Sequence, residues 1–202
     1  MSDYYGAGRL DKPAQVLDLQ KTGENSWEWV KVRSIWVSAD FRSRSNIFSK
    51  ISVGARDASL VAWKQNITLH QAIKLGDNHL LLTAITERNR NQIDIRAAIC
   101  YPIALTAKRQ AKTGRDTMNR PVVEPQEVFT FPGILTELYH RNEPDGVFRT
   151  EKLQRALVTG KAIALRAGDL VQSDEENVYV VRQAMDLDPY KNEYVIERQE
   201  DV

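Results

Sequence analysis

The sequence predicts an all-β fold with two small antiparallel modules, each barrel-like or sandwich-like, joined by a long linker and containing little helix. Three observations support this prediction. Short segments with alternating apolar and polar residues recur between turn residues along the 202-residue chain. Two stretches, 79–95 and 179–196, share an order of strand, charged turn and strand. Between them, residues 106–128 show no period and contain Pro121 and Pro125, which is typical of a linker.

The N-terminal module is predicted to span residues 1–105. Residues 1–12 carry glycines and charges without a period, which predicts a mobile arm. The stretches "WEWVKVRSIWV" (27–37) and "LVAWKQNITL" (60–69) have strand character. Residues 79–99 predict a hairpin, because the second half alternates apolar and polar side chains.

The C-terminal module is predicted to span residues 129–202 and to be a divergent repeat of the first. The aligned pairs are His79 with Tyr179, Leu80 with Val180, Leu81 with Val181, Ile93 with Tyr194 and Ile95 with Ile196. Upstream, "NITL" (66–69) falls on "AIAL" (162–165), and both are expected to be strands. The stretch "TEKLQRALVTGKA" (150–162) is compatible with a short helix as well as with a strand.

Charge is unevenly distributed, although the chain carries a net charge of only +1. Residues 1–105 hold 14 Lys/Arg and 10 Asp/Glu, a net charge of +4, whereas residues 129–202 hold 9 and 14, a net charge of −5. The segment 106–128 adds the remaining +2. This asymmetry favours head-to-tail contacts or two different partners, and chance composition is the alternative explanation.

No constellation of catalytic residues is recognisable, so the chain is predicted not to be an enzyme and to need no metal or cofactor. The three histidines, His70, His79 and His140, lack nearby cysteine ligands. Cys100 is the only cysteine, which excludes a disulfide within one chain, fits a reducing cytoplasm and favours a buried structural thiol. The glycines form no phosphate-binding loop. No apolar run approaches the ~20 residues of a membrane span, and no signal peptide is expected.

Two basic clusters and one set of core residues are the candidate functional and structural positions. The first cluster, with possible contacts to DNA or to a neighbouring subunit, comprises Lys108, Arg109, Lys112, Arg115 and Arg120. The second basic loop comprises Arg42, Arg44, Lys50 and Arg56. For both clusters, solvated charge on a surface segment is the competing interpretation. The predicted core anchors are Trp27, Trp29, Ile93, Ile95, Tyr179, Tyr194 and Ile196.

The N-terminal module resembles the head–tail joining proteins of tailed bacteriophages, also described as head-closure or stopper proteins. The resemblance lies in "GENSWEWVKVRSIWV" (23–37), the polar excursion that follows, and "LLLTAITERNRNQIDIRAAI" (80–99). It covers about residues 13–100. The second module departs from the single-domain pattern, which leaves open the position in the neck as adaptor, stopper or tail-side protein.

The resemblance implies a structural virion protein of the head–tail neck that assembles in the host cytoplasm. Such a protein forms a ring of six or twelve copies between a portal or adaptor protein and a tail terminator or tail protein. It helps to retain packaged double-stranded DNA, which lies in the lumen and is contacted without sequence specificity, and it provides a docking surface for the tail. No membrane partner is implied.

Two other functions are compatible with the sequence. One is an OB-like nucleic-acid-binding module, since small barrels with basic loops also describe that class. The other is a different virion protein, of the tail or of tail completion. The acidic C-terminal module argues against nucleic-acid binding, because it would repel phosphate.

Overall fold

The computed structural model describes residues 10–45, 56–115, 121–137, 154–173 and 177–199. All regular structure in these residues is β, with strands as long as the 20 residues of Ser26–Ser45, which confirms the predicted all-β class. No helix in this part of the chain is long and apolar enough to cross a membrane. The chain divides into two compact units, and each unit contains most of one six-stranded ring.

The first six strands form a ring with the hydrogen-bonding order β1–β4–β5–β6–β3–β2, and β2 pairs with β1 to close it. Their bounds are β1 Lys12–Gly23, β2 Ser26–Ser45, β3 Arg56–Trp63, β4 Ala72–Leu75, β5 Asn78–Glu87 and β6 Gln92–Cys100. The N-terminal unit contains residues 10–19, 29–45 and 56–101 of the described chain. Lys12, assigned above to a mobile arm, begins β1 and donates a hydrogen bond to the Ala39 carbonyl oxygen (3.2 Å).

The last six strands form a second ring with the order β7–β10–β11–β12–β9–β8, and β8 pairs with β7 to close it. Their bounds are β7 Ile103–Arg115, β8 Pro121–Glu137, β9 Gln154–Gly160, β10 Leu170–Ser173, β11 Val178–Met185 and β12 Lys191–Arg198. The C-terminal unit begins at Pro102 and also includes 20–28, the tip of the β1–β2 hairpin. Strand for strand, the second ring has the same order as the first.

The prediction of a linker at residues 106–128 is wrong. Its described residues belong to β7 and β8, which pair in antiparallel register from Ile103–Gly133 to Arg115–Pro121. The register shifts twice, between Arg109 and Gln110 and again between Lys112 and Gly114, so the two-residue period is interrupted. These irregularities explain why the segment lacked periodicity. The units divide after residue 101, and the predicted module limits of 105 and 129 are corrected accordingly.

Two ambiguous stretches of the sequence are resolved by pairing. Residues 154–160 form the strand β9, bonded on one side to β12 and on the other to β8, so the helical alternative is wrong there. The matched segments 66–69 and 162–165 are not strands, contrary to the expectation. They do correspond in packing, because Ile67 (8% exposed) and Ile163 (1% exposed) are both buried.

The register of the predicted repeat also needs correction. Each ring has a bulge at the same place, which leaves Thr83 unpaired in β5 and Arg182 unpaired in β11. The residues just before the bulges, Leu82 and Val181, are therefore equivalent, and the alignment of Leu81 with Val181 was one residue out. A one-residue shift moves every side chain to the other face of a strand.

In β6 and β12 the alignment was two residues out. The paired registers make Ile95 equivalent to Tyr194 and Ile93 equivalent to Asn192. A two-residue shift keeps each side chain on its original face, so the assignment of these residues to the interior survived the error.

The interior of each ring is filled by side chains from alternating positions. The predicted anchors Ile93, Ile95, Tyr179, Tyr194 and Ile196 are all buried, at 4% exposure or less. The other two predicted anchors, Trp27 and Trp29, are only half-buried. Trp27 and Trp29 lie close to the turn of the β1–β2 hairpin, near the start of β2, so they do not fill the interior of the ring.

Candidate interaction site

Arg109, a member of the first predicted basic cluster, is the centre of an ionic network inside the C-terminal unit. Its guanidinium donates to Asp169 Oδ1 (3.3 Å) and Oδ2 (3.1 Å), to Glu127 Oε2 (2.6 Å) and to the Ala164 carbonyl oxygen (3.1 Å). The side chain of Arg109 is 18% exposed and that of Asp169 is 5% exposed. The hydrogen-bond donors of the guanidinium are therefore engaged by acceptors of the same chain.

The electrostatics of this network weaken the predicted contact between Arg109 and DNA. The hydrogen bond that Arg109 donates to Asp169 raises the pKa of Arg109 above its ordinary value, and the nearby charges of Asp169 and Glu127 act in the same direction. Two carboxylates compensate one guanidinium, so the local charge is not positive. We assign Arg109 to positioning the segment before β10, because Asp169 also accepts a hydrogen bond from the Arg166 amide (2.8 Å).

The other basic residues do not form a described cluster. Lys108 donates to Gln172 Oε1 (3.0 Å) across the β7–β10 pair, and Arg56 is exposed at the start of β3. The backbones of Lys112 and Arg115 lie in β7, and those of Arg42 and Arg44 lie in β2. Arg120 and Lys50 lie outside the described residues. Their predicted roles stay predictions.

A shallow cavity of about 250 Å³ lies beside Arg109 in the C-terminal unit. Its charged lining residues are Lys21, Arg109, Glu24 and Glu127, so positive and negative groups balance. Phosphate recognition needs an excess of positive charge and free donors. The cavity therefore does not support an anion site.

His79 and Cys100 are adjacent in the N-terminal unit, but their surroundings suppress reactivity. Burial, followed by the nearby charge of Lys74, lowers the pKa of His79 to about 4. Its ring packs against Trp29 at 5.2 Å between centroids. Burial raises the pKa of Cys100 to about 12, and the thiol donates to the His79 carbonyl oxygen (3.4 Å). Among the described residues, no three His, Cys, Asp or Glu side chains are grouped as metal ligands.

The outer face of the N-terminal unit exposes two large aromatic residues, which we call the tryptophan patch. Trp36 of β2 is 58% exposed and Trp63 of β3 is 52% exposed. Trp36 directly precedes Val37 and Trp63 directly follows Ala62, and Val37 pairs with Ala62 in antiparallel register. The two tryptophans therefore lie opposite each other on the same face. Exposed tryptophans at adjoining positions are typical of contact sites rather than of free surface.

Two ion pairs lie near the tryptophan patch. Lys64, which follows Trp63, forms an ion pair with Glu87, and Arg88 forms one with Asp94 (3.4 Å). All four side chains are 41–68% exposed. An aromatic centre with a polar, electrically balanced rim is the usual composition of a protein–protein contact site.

The C-terminal unit exposes a different apolar feature, the β11–β12 turn at residues 186–190, which we call the leucine loop. Leu187 is 96% exposed, and Met185 and Tyr190 beside it are 38% and 39% exposed. The Lys161 ammonium donates to the carbonyl oxygens of Asp186 and Asp188, both at 2.7 Å. These bonds hold the loop in one conformation.

Sequence reasoning singled out neither of these exposed apolar features. Trp36 had the opposite parity from Trp27 and Trp29, which was a usable signal that it faces outwards. The segment "DLD" (186–188) is typical of a solvated turn and gives no signal of an apolar contact site. The sequence around Leu187 does not indicate that its side chain is exposed to solvent.

Comparisons with family profiles, curated proteins and solved structures find no match to this chain.

Proposed function

We propose that this protein is a structural subunit of a bacteriophage neck. In this role, copies of the chain form a ring between a portal or adaptor protein and the tail, help to retain packaged DNA and provide a docking surface for the tail. The proposal combines the sequence resemblance of residues 13–100 with the surface of the structure. It requires extensive protein–protein contact and no catalysis.

The observation that carries the proposal is the tryptophan patch. Trp36 and Trp63 lie on the outside of a closed ring, where they add nothing to its interior, and two exposed ion pairs, Lys64–Glu87 and Arg88–Asp94, lie near them. Burying such aromatic residues against another protein stabilises a complex, since tryptophan is enriched among the residues that dominate interface energies. This favours a protein partner.

The alternative is an OB-like module that binds single-stranded nucleic acid. Exposed Trp36 and Trp63 favour it, because bases stack on exposed aromatic rings. The charges disfavour it, because Lys64 and Arg88 are each paired with a carboxylate and Arg109 is held by two. Stacking platforms are normally accompanied by free cations along the groove that follows the backbone.

The test is a deletion and add-back experiment on the phage that encodes this chain. Particles assembled without the protein should lose packaged DNA and lack tails, and purified protein should restore both. The double variant Trp36→Glu/Trp63→Glu should fail to restore them, whereas Asp77→Asn, an exposed turn substitution, should succeed. Normal DNA retention and tail attachment without the protein would refute the neck assignment.

A nucleic-acid titration separates the alternative function. If the neck assignment is right, the wild type should bind a single-stranded oligonucleotide weakly and without dependence on Trp36. Tight binding with a steep salt dependence, lost in Trp36→Glu, would establish the alternative instead.

A further inference from the structure

The two rings have the same strand order. A surface feature that is present in one ring and absent from the other is therefore not needed to form the fold. The registers place Gly160 at the position of Trp63, because Gly160 pairs with Lys191 as Trp63 pairs with Gln92. On the neighbouring strand, Pro132 takes the position of Trp36. A ring of this topology therefore closes with proline and glycine where the N-terminal ring has two exposed tryptophans.

The reverse holds for the hairpin turn between the last two strands of each ring. In the N-terminal unit the turn after β5 consists of Arg88, Asn89, Arg90 and Asn91, all polar. In the C-terminal unit the corresponding turn is the leucine loop, with Leu187 at 96% exposure. Each unit thus carries an exposed apolar feature that its counterpart lacks at the equivalent positions.

Several hydrogen bonds hold the leucine loop. Besides the two bonds from the Lys161 ammonium, the Asp188 carboxylate accepts hydrogen bonds from the amides of Tyr190 (2.8 Å) and Lys191 (3.3 Å). The Lys161 amide in turn donates to the Tyr190 carbonyl oxygen (3.2 Å). A loop fixed in this way loses little conformational entropy when it docks, which favours a role as an inserted contact.

We propose that the leucine loop of one copy docks on the tryptophan patch of a second copy, in a head-to-tail contact. The contact is apolar on both sides, and it joins the part of the chain with net charge +4 to the part with net charge −5. The opposite charges favour a second copy of this chain over a different protein as the partner, because the positive part of one copy attracts the negative part of the next. Contacts between two different surfaces of one chain close into rings when the rotation fits.

This inference deepens the proposed function, on which it rests, by naming the subunit contact of the ring. The first experiment measures self-association by sedimentation velocity over a range of protein concentrations. Leu187→Asp and Trp36→Glu should each weaken it about tenfold or more, as expected for residues central to an interface. Asp77→Asn should leave it unchanged. Both apolar side chains are exposed, so the variants should retain the melting temperature of the wild type.

Mixing the two defective variants distinguishes a head-to-tail contact from a symmetric one. A Leu187→Asp molecule keeps an intact patch and a Trp36→Glu molecule keeps an intact loop, so an equimolar mixture has one working contact. The mixture should therefore form dimers and nothing larger. If the leucine loops instead contact each other, Trp36→Glu would associate like the wild type, and the proposal would be wrong.

Cross-linking gives a second measurement that detects weak association. Cys100 is the only cysteine and is 7% exposed, so introduced cysteines dominate the reaction. Leu187→Cys mixed with Trp63→Cys should form a disulfide-linked dimer under mild oxidation, well above the yield from Leu187→Cys mixed with Asp77→Cys. Equal yields from both mixtures would overturn the contact. The neck assignment would still stand or fall on DNA retention, so the two failures are distinguishable.

Discussion

The two rings share one strand order but differ in the side chains that fill equivalent interior positions. In the first half of β6 the N-terminal ring has Ile93 and Ile95, and at the equivalent positions of β12 the C-terminal ring has Asn192 and Tyr194. The Tyr194 hydroxyl donates to the Ile163 carbonyl oxygen (2.8 Å) and accepts from the Leu165 amide (3.0 Å). Asn192 Nδ2 donates to the same Ile163 oxygen (2.8 Å). In the first ring these positions hold apolar side chains that only pack, and in the second ring they hold polar side chains that also form hydrogen bonds.

This difference shows how the strand order tolerates two kinds of interior. The non-strand segment 161–169 crosses into the C-terminal ring and brings backbone groups that need partners. Tyr194, Asn192 and Asp169 supply those partners. The corresponding segment of the N-terminal ring buries Ile67 against an apolar wall, so the same support there comes from packing.

A size exchange accompanies the chemical one. The registers make Ala14 equivalent to Leu105, and Val37 equivalent to Gly133. A Cβ added at Gly133 would lie 2.5 Å from Leu105 Cδ1 and 2.8 Å from Leu157 Cδ1. At these two positions the C-terminal ring has a large side chain on β7 and no side chain on β8. The N-terminal ring has a smaller side chain on each of the two strands.

The largest expected effect comes from truncating Tyr194. Tyr194→Ala removes a fully buried ring and two hydrogen bonds, so it should lower the unfolding free energy by about 3–5 kcal/mol. Tyr194→Phe should lower it by about 1–3 kcal/mol, because the Leu165 amide loses its buried acceptor. Urea titration measures both. If Tyr194→Phe matches the wild type, the hydrogen bonds do not distinguish the two rings.

The ionic network of the C-terminal unit should give the next largest effect. Asp169→Ala removes the more buried of the two carboxylates that hold Arg109 and leaves the Arg166 amide without this acceptor. It should cost about 3 kcal/mol, the lower end for a broken buried pair, because Glu127 still pairs with Arg109 and water reaches the guanidinium. Asp94→Ala breaks the exposed pair with Arg88 and should cost less than about 1 kcal/mol. Calorimetry on both variants provides the comparison. Equal losses would show that burial of the pair is unimportant.

Overpacking the C-terminal ring should have a smaller effect. Gly133→Ala should cost about 1–3 kcal/mol, since Leu105 and Leu157 have to move away from the new methyl group. Combining it with Leu105→Ala, the residue found at the equivalent Ala14, should cost less than the sum of the single changes. Strict additivity in the double-mutant cycle would rule out the size exchange.

A pH dependence of stability is expected from His79 in the N-terminal unit. The pKa of His79 is about 4 in the folded chain against an ordinary 6.5, so the unfolded chain binds the extra proton between these values. Stability should therefore fall as the pH drops from about 6.5 to about 4. Val178 occupies the equivalent position in the C-terminal ring and does not titrate.

His79→Phe is the control for this pH effect, because it keeps a ring against Trp29 and removes the titrating group. The difference in melting temperature between the variant and the wild type should grow as the pH falls. A constant difference across the range would show that His79 titrates normally in the folded chain.

The sequence by itself determined the all-β class, the division into two related modules and five of the buried anchors, Ile93, Ile95, Tyr179, Tyr194 and Ile196. These follow from residue type and alternation, which are local properties. Alternation survives an error of two residues, so the core assignments in β6 and β12 were right even though their alignment was not.

Only the tertiary structure decided the closure of the rings, the equivalence of their positions and the surfaces they expose. Closure depends on pairs far apart in the chain, such as β3 with β6 and β9 with β12, and on bulges at Thr83 and Arg182 that no residue type announces. The segment 106–128 lacked a period because its register shifts, although it forms paired strands. From the sequence, Arg109 was expected to carry a charge available for binding. In the structure it pairs with Glu127 and Asp169, which come close to it only because β7 pairs with both β8 and β10.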